Sequence, residues 1–158
     1  MTFSTEIQAY WQQFCQASGT DPETPYGAFA FGNTEAMADE LAHLVLQGKK
    51  TGTSSGYELY FLPGETETVP QIGQIDIVLD GREQPVCVVQ NIAITVLPFK
   101  EVSDEQARKE GEGDLSLAYW RRVHLKFWEP YFALKELPFN EQTPIVYEEF
   151  TLLYPKQN

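Results

Sequence analysis

The chain has 158 residues, of which 42% are hydrophobic and 13% aromatic, and its formal net charge is −12 at pH 7. This length corresponds to one ordinary domain, whose folding would bury about 70% of the surface that the unfolded chain exposes. Because 11 basic residues stand against 23 acidic ones, the average surface would repel long RNA or DNA, and the composition favours a small substrate. One local basic patch is left open as an RNA contact: Lys49, Lys50, Arg121, Arg122 and Lys126.

The sequence also limits where the protein acts and what it binds. Its first residues lack a basic region followed by an apolar stretch, and no segment approaches about eighteen apolar residues, so we expect a soluble, cytoplasmic protein without a membrane partner. Cys15 and Cys87 form no C-x-x-C or metal-type spacing, and His43 and His124 have no partners at metal spacing. We therefore predict no metal site and no cofactor, and the residues leave the oligomeric state open.

The N-terminal region is predicted to be a helix followed by a loop. Residues 4–17 have helical spacing of apolar side chains, and a stretch rich in Gly, Asp, Pro and Thr extends to Pro25. We interpret residues 1–25 as an accessory segment that covers one end of a sheet, and residues 26–158 as the main domain. The apolar face of the helix consists of Ile7, Tyr10, Trp11 and Phe14.

A second amphipathic helix is predicted from Asn33 to Gln47. Asn33 or Thr34 can cap its first turn, and Gly48 suits the left-handed conformation that ends such helices. Its apolar positions recur at the spacing of one buried face: Ala36, Met37, Leu41, Leu44 and Val45.

The segment after this helix concentrates a lysine and several hydroxyls. An extended backbone would place Thr51, Thr53 and Ser55 on one face, and Lys50, Gly52 and Ser54 on the other. A lysine among aromatic neighbours can lose solvation and approach neutrality, which would let it accept a proton. The partial negative charge at a helix C-terminus favours the ammonium form instead.

The rest of the chain predicts a mixed α+β domain around a curved sheet, since its strands and helices lack a regular βαβ repeat. Ser103 and Gln106 have the spacing of a capping box. The predicted elements are a short helix at 57–62, a loop at 63–73, a hairpin of 74–79 with 86–96, a helix at 104–110, an acidic glycine-rich turn, a helix at 116–134 bent near Pro130, and a strand at 145–153.

A phosphate-binding loop is excluded by the same lysine segment. In the pattern G-x-x-x-x-G-K-[ST], His43 stands where the first glycine belongs, and Lys50 stands where Ser or Thr should follow Lys49. The order is also reversed, because a phosphate loop precedes its helix rather than following it.

Two blocks of sequence resemble one known family. The run from Gly48 to Thr53 matches Gly-x-Lys-x-x-Thr, which is similar to the signature of the ASCH family, named after a human transcriptional coactivator. The second block, 98–124, resembles the longer bacterial branch of that family, and together with Phe29-Ala30-Phe31-Gly32 and the strand at Val78-Leu79-Asp80 the likeness covers most of residues 27–154. This second block includes Pro98-Phe99-Lys100-Glu101-Val102-Ser103, Ala107-Arg108-Lys109-Glu110-Gly111-Glu112-Gly113-Asp114, Trp120-Arg121 and His124.

The resemblance implies a PUA-like β-barrel with helices packed across its openings. It also implies a function, because short bacterial members include amidohydrolases that remove the acetyl group from N4-acetylcytidine with a lysine, a threonine and a downstream glutamate. Carried over by motif, these catalytic roles fall on Lys50, Thr53 and Glu110. Other members are linked to RNA binding or cleavage, so the alternative partner is a short RNA, held by a binding module or cut by a ribonuclease.

Six further residues are candidates for substrate binding, each with a structural alternative. Ser54 and Ser55 have hydroxyls that could position a substrate or form a turn, and Tyr57 could stack on a base or lie in the core. Glu112 and Asp114 are near Glu110 in the chain, and like-charge crowding would raise one carboxyl pKa. The structural alternatives are that Asp114 caps a helix and that Glu110 and Glu112 face water. The last candidate is Arg121, whose guanidinium could pair with the acidic turn.

Overall fold

Five strands form one curled half-barrel sheet in the computed structural model, which describes residues 2–156. The strand order is β1-β3-β4-β5-β2; β1 runs parallel to β3, and the other neighbours are antiparallel. The predicted α+β class with a PUA-like curved sheet is therefore confirmed. The strands are β1 Gly27–Ala30, β2 Gly52–Gly56, β3 Ile75–Leu79, β4 Pro85–Pro98 and β5 Pro144–Tyr154.

Four α-helices accompany this sheet in the described part of the chain. The helices are α1 Thr5–Ser18, α2 Glu35–Leu46, α3 Asp104–Glu110 and α4 Leu117–Leu134, with 3-10 turns at Tyr57–Phe61 and Phe99–Glu101. Within residues 2–156, no helix combines the length and apolar character needed to cross a membrane.

The predicted elements agree with the observed ones within a few residues, and the capping box of Ser103 and Gln106 is present. Strand β1 is the element that the sequence did not predict. Its four residues, Gly-Ala-Phe-Ala, have little β-propensity of their own, and the strand forms because it pairs with β3. Met1, Gln157 and Asn158, which the domain prediction included, lie outside the described residues.

Helices α1 and α2 pack on opposite faces of the β3–β4 hairpin. Side chains alternate between the faces of a strand, and Ile77 packs in a cluster with α1 while Val78 packs in a cluster with α2. Trp11 and Phe14 of α1 are each 1% exposed, so the N-terminal helix contributes to the core. Helices α3 and α4 share a third cluster with the start of β5, which includes Trp120, Phe132 and Ile145.

Candidate active site

The turn after α2 directs Lys50 into the protein. Thr34 caps the start of the helix, and Gly48 adopts a left-handed φ of 78° just after its end. The backbone N–H groups of Lys49 and Lys50 both donate to the carbonyl of Leu44, at 2.9 and 3.1 Å. This tight turn places Lys50 at the entrance of β2, where its side chain is 1% exposed.

The Lys50 ammonium is surrounded by oxygen atoms. Nζ donates to the carbonyls of Gly52 at 2.9 Å and Glu110 at 3.3 Å, and to Oε2 of Glu112 at 3.2 Å. It also lies 3.7 Å from Oε1 of Glu110 and 5.2 Å from the centre of the Phe31 ring. The three hydrogen bonds use all three protons of the ammonium group, which is the arrangement required when a charged lysine is buried.

Glu110 is the second buried charge of the site, with 2% exposure. Its Oε2 accepts hydrogen bonds from the Ser54 hydroxyl at 2.8 Å and from the Trp120 indole N–H at 2.6 Å. Burial alone would raise the pKa of this carboxyl, but Lys50, followed by His124 and Trp120, holds the pKa below its ordinary value. Glu110 is therefore an ionised carboxylate at neutral pH.

His124 completes the contacts of Glu110. Its Nδ1 lies 2.8 Å from the carbonyl of Trp120, and because a carbonyl oxygen only accepts, Nδ1 carries a hydrogen. Its Nε2 lies 3.4 Å from Oε1 of Glu110. The Nε2 contact is an ion pair only when the ring carries a proton on both nitrogens.

Helix α3 docks against the lysine segment through its C-terminal end. The Thr51 N–H donates to the carbonyl of Lys109 at 2.7 Å. Gly111 ends the helix with a φ of 75°, and a Cβ atom there would lie 2.5 Å from the carbonyl oxygen of Lys49. Position 111 thus requires glycine for two reasons: its left-handed backbone conformation and the close approach of two chain segments.

We expect Gly111→Ala to lower the free energy of unfolding by more than about 1 kcal/mol. A matched control is Gly19→Ala, because Gly19 has a nearly identical φ of 78° with nothing within 4 Å of its Cβ position. Urea unfolding of both variants separates backbone strain, common to both, from the clash with Lys49. Equal losses in the two variants would contradict the close-approach argument.

A pocket of about 140 Å³ opens beside these charges, and we call it the lysine pocket. It brings together five of the predicted site residues: Lys50, Thr53, Ser54, Glu110 and Glu112. Thr53 and Ser54 follow each other on β2, and Ser54 points to Glu110 as the predicted alternation requires. The remaining wall is mostly apolar or aromatic: Phe31, Met37, Leu41, Val123, Phe127 and Trp128.

Four predicted binding residues lie outside this pocket, and three of them, Tyr57, Asp114 and Arg121, line neither this pocket nor the cavity beside it. The Tyr57 ring packs against the Phe61 ring at a tilt of 59°, with ring centres 5.0 Å apart. Asp114 is exposed and accepts from the Ser116 N–H, while Ser116 itself caps α4. The Arg121 guanidinium donates to the carbonyls of Lys100 and Val102. Arg121 therefore does not pair with the acidic turn, because those backbone carbonyls accept its protons.

The expected rise of a carboxyl pKa in the acidic turn is also corrected. The pKa of Glu110 is lowered by Lys50, and hydrogen bonds from Ser116 lower the pKa of Asp114. The raised carboxyl lies elsewhere: burial, reinforced by the charge of Asp76, raises the pKa of Glu148 to about 7 despite a hydrogen bond from Asn91. Glu110 and Glu112 do lie close together, but both face the Lys50 ammonium, whose positive charge opposes a rise of the Glu110 pKa.

A second, larger cavity of about 490 Å³ adjoins the lysine pocket, and we call it the acidic cavity. Phe31, Gly32, Thr53 and Ser54 line both spaces. Ser55, the remaining predicted binding residue, lies here and shares a 2.7 Å hydrogen bond with the Tyr60 hydroxyl. The carboxylates of Glu67, Asp76 and Glu148 also line this cavity.

Four residues of the site were missed as functional candidates from the sequence. Trp120 was noted only within the block that resembles the family, and His124 was otherwise considered only as a metal ligand, although their spacing of four on α4 places them on one helix face. No local pattern marked Asp76 or Glu148, because strand pairing brings them to the acidic cavity.

The curled half-barrel sheet with its accompanying helices has a PUA-like fold. The family model for the ASCH domain matches residues 27–154. The chain therefore belongs to the ASCH family, a PUA-like fold associated with RNA binding. Among curated proteins, none matches this chain significantly.

Solved structures support the same assignment. The ASCH domain from Lactobacillus crispatus JV V101 is 26% identical, with a TM-score of 0.90 over 98% of each chain. Protein EF3133 from Enterococcus faecalis V583 is 30% identical, with a TM-score of 0.81 over 94% of this chain and 90% of the other. The hypothetical protein PH0355, 17% identical with a TM-score of 0.50 over 81% and 99%, supports the fold alone.

Proposed function

We propose that this protein is an amidohydrolase that cleaves the acyl group from N4-acylated cytidine or a similar modified nucleoside. The observation that carries the proposal is the buried pair of Lys50 and Glu110, which borders the lysine pocket together with Thr53 and Ser54. A nucleophilic hydroxyl, a proton acceptor and a proton donor are the groups that amide cleavage needs. An aromatic wall suits a planar base.

In the proposed mechanism, Lys50 first gives a proton to Glu110 across the 3.7 Å that separates Nζ from Oε1. The neutral amine then takes the proton of the Thr53 hydroxyl as its oxygen attacks the acyl carbon. Glu110 returns its proton to the exocyclic nitrogen as the carbon–nitrogen bond breaks. Cytidine leaves with a free amine, and water then hydrolyses the acyl ester on Thr53.

The surroundings of Lys50 bear on this mechanism. Its four oxygen contacts, Gly52, Glu112 and two from Glu110, hold an ammonium in the resting protein. The proton transfer to Glu110 must therefore accompany substrate binding rather than precede it. Filling the pocket with an apolar acyl group would remove water from the pair and favour the neutral partners over the ionised ones.

RNA binding is the alternative function, and the family association with RNA supports it. The charge of the whole chain and the carboxylates beside the lysine pocket favour an uncharged small ligand instead. Retention of a short RNA that falls steeply with salt would favour the alternative.

The proposal is tested by release of cytidine and acetate from N4-acetylcytidine. We expect turnover by the intact protein and a loss of about 10²-fold or more in Glu110→Gln, which keeps the shape of the side chain but cannot carry the proton. Glu105→Gln, exposed on the same helix, is the matched control and should retain activity. Absence of turnover by the intact protein would contradict the proposal.

A further inference from the structure

The acidic cavity has an unusual electrostatic character for a protein of an RNA-associated family. Glu67, Asp76 and Glu148 line it, and none of the described residues that line it is Lys, Arg or His. Nucleic-acid phosphates are normally met by Lys and Arg. A phosphate group placed in this cavity would meet three carboxyl groups, and no cationic side chain among the described residues that line it.

The cavity nevertheless has the features of a binding space. It adjoins the lysine pocket, since four residues line both. Asp76 is 6% exposed, and its Oδ2 accepts from the amide of Gln74 at 2.9 Å. Glu148 accepts from Asn91 through Oε1 at 3.2 Å, which leaves Oε2 available to a ligand. Hydroxyls of Ser55 and Tyr60 add groups that donate and accept.

Strand pairing explains why the carboxylate of Glu148 lies so close to the reacting groups. Glu148 of β5 is the direct partner of Thr53 in β2. Side chains of directly paired residues lie on the same face of a sheet. A ligand whose acyl group lies beside Thr53 would therefore extend toward Glu148.

We propose that the acidic cavity binds the ribose of a free nucleoside through Glu148 and Asp76 and excludes ligands that carry a phosphate. This inference rests on the function proposed above. Ribose hydroxyls donate hydrogen bonds that protein carboxylates accept. A phosphate beside the same carboxylates would instead be repelled, because both groups are negatively charged. The protein would thus act on nucleosides released from RNA rather than on nucleotides or on intact RNA.

The test compares the binding of cytidine and of cytidine 5′-monophosphate by calorimetry at one ionic strength and at about pH 8.5, where the Glu148 carboxyl, with its pKa raised to about 7, is ionised. These probes need no turnover, so the result is independent of catalysis. We expect the intact protein to bind the monophosphate roughly tenfold or more weakly than cytidine. In Glu148→Gln this ratio should fall by roughly threefold or more, because the variant removes a negative charge without removing the side chain.

The matched control is Glu141→Gln, which removes one negative charge from an exposed residue outside both cavities and should leave the ratio unchanged. We expect the same fall in the ratio for Asp76→Asn as for Glu148→Gln. Either variant is sufficient for the test, provided that circular dichroism shows that it is folded. The inference is overturned if the intact protein binds both probes equally, binds neither, or prefers a short RNA, or if the ratio is unchanged in the folded variant.

The two proposals fail separately. If the protein binds cytidine more tightly than its monophosphate but does not hydrolyse N4-acetylcytidine, the amidohydrolase proposal is overturned and the ribose-site proposal stands. If the protein hydrolyses N4-acetylcytidine but binds both probes equally, the ribose-site proposal is overturned and the amidohydrolase proposal stands.

Discussion

Replacing Lys50 with methionine should lower the free energy of unfolding by about 3–5 kcal/mol, because it leaves the Glu110 carboxylate buried without its counter-charge. Methionine fills much of the space of the lysine stem, so the loss reports charge rather than volume. The measurement is urea unfolding at neutral pH. Lys49→Met is the matched control, since the neighbouring lysine is exposed, and it should change stability by less than about 0.5 kcal/mol.

A double variant isolates the electrostatic part of this effect. Lys50→Met with Glu110→Gln removes both charges, and the glutamine oxygen can still accept from Ser54 and Trp120. We expect the double variant to be more stable than Lys50→Met alone, because no unpaired charge remains. If Lys50→Met were as stable as Lys49→Met, the buried pair would not be an energetic element of the fold.

Acid offers an independent check of the same pair. The pKa of Glu110 is lowered in the folded protein from its ordinary 4.5. The carboxylate therefore stabilises the fold above that ordinary value, and this contribution disappears as the pH falls through the folded pKa. The stability difference between the intact protein and Lys50→Met should narrow in acid.

The sequence predicted the local features of the site well because local rules govern them. Gly48 ends α2, the alternation along β2 directs Ser54 and Lys50 to the same carboxylate, and the capping box fixes α3. The family resemblance assigned roles to Lys50 and Glu110, but the convergence of these residues, sixty positions apart in the chain, was not predicted from the sequence. Physical rules for one segment do not say which segments meet.

The sequence did not predict those contacts whose partners lie far apart in the chain and belong to common residue types. Arg121 was expected to pair with carboxylates, but nearby backbone carbonyls accept its protons. No sequence pattern marked Glu148 as a functional residue, because a single glutamate in a strand has no distinguishing neighbours in the chain. Its pKa rises to about 7 only because the folded sheet buries it and brings Asp76 close to it. Such effects belong to the assembled fold and cannot be read from spacing.

The nucleophile can be identified by comparing Thr53→Ala with Ser54→Ala. We expect Thr53→Ala to lower kcat/KM for N4-acetylcytidine by about 10³-fold or more, because the hydroxyl that forms the acyl ester is lost. Thr53→Ser should restore much of this activity, since it returns a hydroxyl at the same position. Ser54→Ala should cost only about tenfold, through loss of one hydrogen bond to Glu110.

The reverse ranking would also have a physical explanation in this site. The Ser54 hydroxyl lies 2.8 Å from Oε2 of Glu110, which is the geometry of a hydroxyl and its general base. The four contacts of the Lys50 ammonium are with groups other than Thr53. If Ser54→Ala abolished turnover and Thr53→Ala did not, Ser54 would be the nucleophile and Glu110 its base. Lys50 would then hold Glu110 in its ionised form instead of accepting a proton.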